Sequence, residues 1–152
     1  MKKIIKFIIS ILVCQLAGII GSIFTVSSVG SWYLELNKPV FNPPSYLFGP
    51  VWIFLYFLMG LALYFVWVKK DVKNALILFF VHLFLNSLWS VLFFGLKLVF
   101  VAFLEIILLW IFILLVMIKF YKFDKRSCYL LIPYILWVSF ALILNFSIYI
   151  LN

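Results

Sequence analysis

Five apolar runs of roughly twenty residues, separated by short basic or turn-forming clusters, fix most of what this chain can become. They lie at about 4–26, 46–68, 74–94, 98–119 and 129–151. About 20 apolar residues in a helix are enough to cross the hydrocarbon core of a bilayer. Charged residues make up 11% of the sequence and hydrophobic ones 69%, whereas a soluble domain carries about 25% charged residues. Backbone polar groups have no water to bond in hydrocarbon, so each run has to satisfy them internally, as a helix. The expected fold class is an all-α integral membrane protein. It is a five-transmembrane-helix bundle in one domain, 1–152, with a long structured proline-rich first loop.

The opening "MKKIIKFIISILVCQLAGIIGS" has the basic start and apolar middle of a signal peptide. Its apolar run continues to about Val26, longer than such a peptide needs, so the expectation is an uncleaved first helix. The net charge is +8, but nucleic-acid binding does not follow. The basic residues form short clusters between apolar runs, with no basic stripe across a folded surface. Ten of the twelve Lys and Arg residues would lie on one side of the membrane: Lys2, Lys3, Lys6, Lys69, Lys70, Lys73, Lys119, Lys122, Lys125 and Arg126. Only Lys38 and Lys97 fall on the other. By the positive-inside rule the N-terminus is cytoplasmic, and the first loop and the C-terminus are outside. Cys14 and Cys128 match no metal spacing and sit at different membrane depths, so no disulfide is expected.

The first loop, "NKPVFNPPSYLFGPVW", holds four of the five prolines, Pro39, Pro43, Pro44 and Pro50. Fixed φ and missing donors keep it non-helical through Pro44 and allow a helix near Tyr46, with Pro50 tolerated in the first turn. A stiff segment of this length suits a binding lid.

Polar and small residues inside the spans mark inward faces. Trp52, Tyr56, Gly60 and Tyr64 share one stripe of the second span. His82, Asn86, Trp89, Ser90 and Phe93 mark the third, and Pro133, Trp137, Ala141 and Asn145 the fifth, with Tyr134 and Phe140 beside them. Taken singly, His82, Asn86 and Asn145 read as interhelical hydrogen-bond glue, and the aromatics as interface belts or filler. Together they outline a space that suits a large, flat, mostly apolar ligand. His82 also reads as a proton relay or an axial haem ligand. Glu105, the one acid within a span, is a functional candidate by default; two turns from Lys97, it reads equally as a near-surface solvated or paired carboxylate. Ala17, Gly18, Gly21 and Ser22 argue for close helix packing, as in a dimer seam. No Ser/His/Asp arrangement, phosphate loop or metal cluster occurs in the sequence.

Three ordered blocks, "WYLELNKPVFNPPSYLFGPVWIFLYFLMGLALY", "LNSLWSVLFF" and "LLIPYILWVSFALILNFSIYILN", carry a resemblance over about residues 20–152. The chain resembles the TspO/MBR family, the tryptophan-rich sensory proteins, translocator proteins and peripheral-type benzodiazepine receptors. The resemblance implies a five-helix bundle, often a homodimer, with a ligand pocket under the first loop. It implies porphyrin ligands such as protoporphyrin IX, isoquinoline-type lipophiles and, in mitochondrial members, cholesterol. Carried onto this sequence, the pocket wall is Tyr33, Trp52, Tyr56, Asn86, Trp89, Trp137, Phe140 and Ala141. His82 stands where the family often has Gln, and nothing basic follows Tyr149, as the animal cholesterol motif requires.

The expected function is a membrane receptor or sensor. A porphyrin would stack on Trp52, Trp89 and Trp137 and be oriented by Asn86 and Tyr33, with Phe93 and His82 in the same lining and Pro39, Pro43 and Pro44 in the lid. No obligatory cofactor, metal or nucleic-acid partner is expected. Alternatives are light-driven porphyrin breakdown using Trp52 and Trp137, and transport of tetrapyrroles. Composition rich in Lys, Ile, Phe and Asn fits an AT-rich bacterial genome, and the expected location is a bacterial cell membrane.

Overall fold

The computed structural model describes residues 1–152. Its long helices are α1 (Lys3–Val29), α3 (Phe48–Trp67), α4 (Lys73–Ser90), α5 (Val99–Tyr121) and α7 (Ile132–Leu151). Two short ones join them, α2 (Trp32–Glu35) in the first loop and α6 (Lys125–Leu130) before α7. There are no strands. Counted with the short turns that extend them, five helical segments are long and apolar enough to cross a membrane: Lys3–Val29, Ser45–Trp67, Lys73–Gly95, Val99–Tyr121 and Lys125–Leu151. The chain is an integral membrane protein. Ile4, Leu12, Ile23, Phe84, Leu136 and Ile150 are among many large apolar side chains left exposed on the outer faces. A patch of that extent would aggregate in water; in a bilayer it is lipid contact.

The second span begins as expected, with a single 3₁₀ turn over Ser45–Leu47 leading into α3. The fifth differs. Asp124 is extended and its carboxylate accepts the Arg126 N–H at 3.0 Å, so a helix starts at Lys125, four residues before the expected boundary. Pro133, in the first turn of α7, has no N–H to give, and the span is broken at Leu131. This break positions the site. α6 packs against α3, with the Ser127 hydroxyl donating to the Ala62 carbonyl at 3.1 Å. Beyond it α7 packs chiefly on α5 and meets α3 through the edge-on pair of Trp52 and Tyr134 at 6.4 Å, and a gap remains at the loop end of the bundle.

α1 lies against α3 and α4, and α5 against α4 and α7. At Gly60 a Cβ would fall 2.9 Å from the Ile11 Cα, and at Gly18 one would fall 2.5 Å from the Tyr56 ring. Both glycines are therefore set by close approach. The small residues of α1 are spent inside the chain: Gly18 beneath Tyr56, Gly21 against Ser90, and the Ala17 carbonyl accepting from the Ser87 hydroxyl at 3.1 Å. Only Ser22 is exposed, so these residues do not form a seam for a second copy. The second-span stripe is likewise divided. Trp52 and Tyr56 face the gap, whereas Gly60 and Tyr64 face α1, Tyr64 meeting Phe7 edge-on at 5.4 Å.

α4 ends in a π-helical turn, Val91–Gly95, next to the gap. Gly95 does not take a positive φ. The residue with positive φ in that reversal is Lys97, at 58°, and Gly95 is small because the Phe24 ring lies 2.7 Å from where a Cβ would stand.

Candidate functional site

The gap is a cavity of about 440 Å³ walled by α1, α3, α4 and α7 and roofed by the first loop. Nine sequence-predicted residues line it: Tyr33, Trp52, Tyr56, Asn86, Trp89, Phe93, Trp137, Phe140 and Ala141. Each is delivered by a helix that turns its aromatic or small face inward. The indole of Trp52 lies 5.6 Å from the Tyr56 ring, and Trp89 stacks on Phe93 at 5.2 Å. On α7, Trp137 lies 5.6 Å from Phe140.

Beneath the cavity floor runs a chain of hydrogen bonds whose direction can be assigned. A carbonyl only accepts, so the His82 Nδ1, 2.8 Å from the Phe79 carbonyl, must carry the proton. Nε2 then accepts from the Tyr134 hydroxyl at 3.0 Å. That hydroxyl accepts from the Asn86 amide at 2.8 Å, and the Asn86 carbonyl accepts from the Tyr56 hydroxyl. Every member is satisfied with the imidazole neutral. A second ring proton would leave the Tyr134 hydroxyl without an acceptor.

His82 is therefore not brought to the cavity. It is fully buried one turn below Asn86, with both nitrogens on protein partners and none free for a metalloporphyrin. Glu105 is also displaced from expectation. It is only 8% exposed on the buried face of α5, with Ala102, Ile106 and Leu109, and neither carboxylate oxygen has a partner. It is neither solvated nor paired, and it does not line the cavity. Pro133 is exposed at the start of α7 instead of lying on the inward stripe.

The roof is built by the loop, but Pro39, Pro43 and Pro44 do not line the cavity; Tyr33, Ser45, Phe48 and Gly49 do. The prolines stiffen a segment that other residues fasten. Lys38 Nζ donates to the carbonyls of Tyr33 at 2.7 Å and Leu36 at 2.9 Å and sits 4.9 Å from the Tyr33 ring. Asn37 exchanges bonds with Asn152 at the end of α7, its N–H donating at 3.0 Å and its carbonyl accepting at 2.9 Å. Phe41 meets Phe140 edge-on at 6.1 Å. The Tyr33 hydroxyl donates to Asn42 at 2.6 Å, and burial pushes the phenol up to about 12, keeping it a donor at neutral pH.

The polar groups expected to orient a ligand are thus spent on the protein: Tyr33 on Asn42, Asn86 on Tyr56 and Tyr134. The Trp89 N–H is also spent, on Asn145 at 3.0 Å, whose amide bonds the Val99 carbonyl. Trp52 and Trp137 are different, because neither indole N–H has a protein partner. No Asp, Glu, Lys, Arg or His lines the cavity. An uncharged aromatic slot with two free indole donors can stack and orient a flat apolar body, and has no general acid or base of its own. The wall from α1, through Gln15, Gly18, Gly21 and Thr25, is not legible in the sequence; its small residues show as a break in an Ile/Leu run, which reads equally as a seam between helices.

Residues 10–151 match the TspO/MBR family. The chain belongs to that family. It is 44% identical over 152 residues to the tryptophan-rich protein TspO of Archaeoglobus fulgidus, covering 99% of each chain. To the protein of the same name from Chlorobaculum tepidum it is 43% identical, covering 99% of this chain and 98% of that one. The human translocator protein is 30% identical over 140 residues, 89% of this chain and 83% of that one. The TspO/MBR match thus includes the α1 wall, the loop and the break before α7, the parts that make the cavity.

Proposed function

We propose that this TspO/MBR protein is a membrane receptor or sensor for porphyrin-like tetrapyrroles, and that isoquinoline-type lipophiles fit the same cavity. The observation that carries the reading is the pair of unpartnered indoles, Trp52 on α3 and Trp137 on α7, in one uncharged aromatic cavity. A macrocycle would stack on their faces. Its carboxylates would stay at the open edge near the loop, since nothing charged lines the interior. Titration of the purified protein with protoporphyrin IX, followed by tryptophan quenching, tests this. Trp52→Phe with Trp137→Phe should weaken binding at least about tenfold, given what two oriented aromatic contacts contribute; unchanged affinity would overturn the assignment.

The same two indoles favour a second reading, light-driven porphyrin breakdown. An excited porphyrin can oxidise a nearby indole, and the cavity offers no ordinary acid–base or metal chemistry. Soret loss under illumination, absent in the dark, separates this from binding alone. Transport ranks below both, because five spans with no inverted repeat do not resemble an alternating-access machine. The reading places the protein in a bacterial cell membrane, with its basic end cytoplasmic and the loop outside. The homodimer implied by the family resemblance would use a face other than the small residues of α1.

A further inference from the structure

At the end of the bundle opposite the loop, a second, more open hollow of about 760 Å³ lies on the lipid-facing surface between the starts of α1 and α4, at the end of α3. α1 and α4 touch nearer the loop, where Ser87 bonds Ala17 and Ser90 meets Gly21; here Lys6 is the one residue of α1 that lines the hollow. Its rim carries Lys6, Lys69 and Lys73, and its floor is a run of α4, including Ile77, Phe80, Val81 and Phe84. From Lys73 to Phe84 that floor runs about 16 Å at the helical rise, roughly one leaflet of the hydrocarbon core. The polarity is graded as in a phospholipid, with cations at one end and only hydrocarbon beyond.

The cations are not cancelled. Lys6 spends one of its three N–H donors on the Trp67 carbonyl at 2.9 Å, and it has no acidic partner. Lys73 has no acidic partner either. Lys69 lies 3.3 Å from Asp124, which also pairs with Arg126. Lys70 and Asp71, both exposed in the same loop, form no ion pair.

We propose that this groove binds one anionic phospholipid, its headgroup phosphate between Lys6 and Lys73 and an acyl chain along Ile77, Phe80 and Phe84. A zwitterionic lipid brings its own cation and is not selected. Charge complementarity at the rim and a floor one leaflet long together specify a lipid and not a soluble anion.

The purified chain in detergent is titrated with phosphatidylglycerol, with phosphatidylcholine of the same acyl chains, and with glycerol 3-phosphate, and bound species are counted by native mass spectrometry. One phosphatidylglycerol should be retained about tenfold more tightly than phosphatidylcholine, and glycerol 3-phosphate should give no adduct. Lys6→Gln with Lys73→Gln should erase the preference. Val81→Trp, which leaves every charge in place and fills the floor, should remove the adduct. Equal binding of the two lipids by the unmodified chain would overturn the proposal, as would a preference that survives the double Gln change or an undiminished adduct in Val81→Trp. Glycerol 3-phosphate binding as tightly as phosphatidylglycerol would make this a phosphate site and equally overturn it. Should the double variant lose its helical circular dichroism, the lipid comparison and Val81→Trp decide.

Discussion

The two ends of the bundle solve opposite problems. The loop end keeps space open: after the break at Leu131 α7 packs chiefly on α5, aromatics line the gap, and the neutral chain from Tyr56 to His82 holds its floor. The other end draws α1 tightly onto α3 and carries charge. Gly60 lets α1 and α3 meet, and Asp124 gathers Lys69, Arg126 and the start of α6. A cavity in a membrane protein needs a rigid frame because hydrocarbon supplies no squeezing force to shape it. Satisfied polar groups at the floor and close glycine contacts at the far end provide that frame.

Tyr134→Phe should break the comparison most severely. It strands the Asn86 amide and His82 Nε2, two buried groups that each cost about 1–3 kcal/mol when unsatisfied. Both thermal stability in detergent and tetrapyrrole affinity should fall. Stability unchanged in a melting measurement would mean the chain of bonds does not frame the cavity.

That network marks the limit of what the sequence could reveal. Five spans were legible because long apolar runs admit few alternatives. The inward stripes were legible because a polar residue in hydrocarbon has to be placed. Periodicity gives the direction a side chain faces on its own helix but not its depth against a neighbour. That Tyr134 meets both His82 and Asn86 depends on how α4 and α7 are staggered, so periodicity alone puts His82 in the cavity when it lies one turn below it. Gly18 and Gly21 looked like an outer seam for the same reason, since nothing local says which helix comes close. Asp124, by contrast, is an ordinary N-cap signal, and it places the start of α6 where the apolar run alone did not.

Two alanine substitutions separate the ends. Gly60→Ala pushes α1 and α3 apart at the backbone and should cost about 1–3 kcal/mol of stability, with ligand affinity of the folded protein retained. Gly18→Ala presses on the Tyr56 ring at the cavity wall and should weaken tetrapyrrole binding more than it lowers the melting temperature. The reverse pattern would mean that the ends are not independent.

The smallest effect should come from pH. The Asp124 carboxyl is pushed down to about 2, chiefly by its hydrogen bonds with Arg126. A lowered carboxyl stabilises the folded state above the ordinary Asp range near 3.9, and that contribution is lost as pH falls toward 2. Melting temperature should therefore drop over this window in the unmodified protein. The drop should shrink in Asp124→Asn, which keeps a capping side chain without the charge.

The central claim is that the aromatic cavity at the loop end holds the ligand, and Ala141→Phe tests it most directly. Ala141 is a buried residue of the cavity wall, so the added ring fills space without removing any group that bonds or stacks. Protoporphyrin IX titration followed by tryptophan quenching should show binding weakened by at least about tenfold at a nearly unchanged melting temperature. Full affinity in that variant would contradict the account and put the ligand elsewhere on the protein.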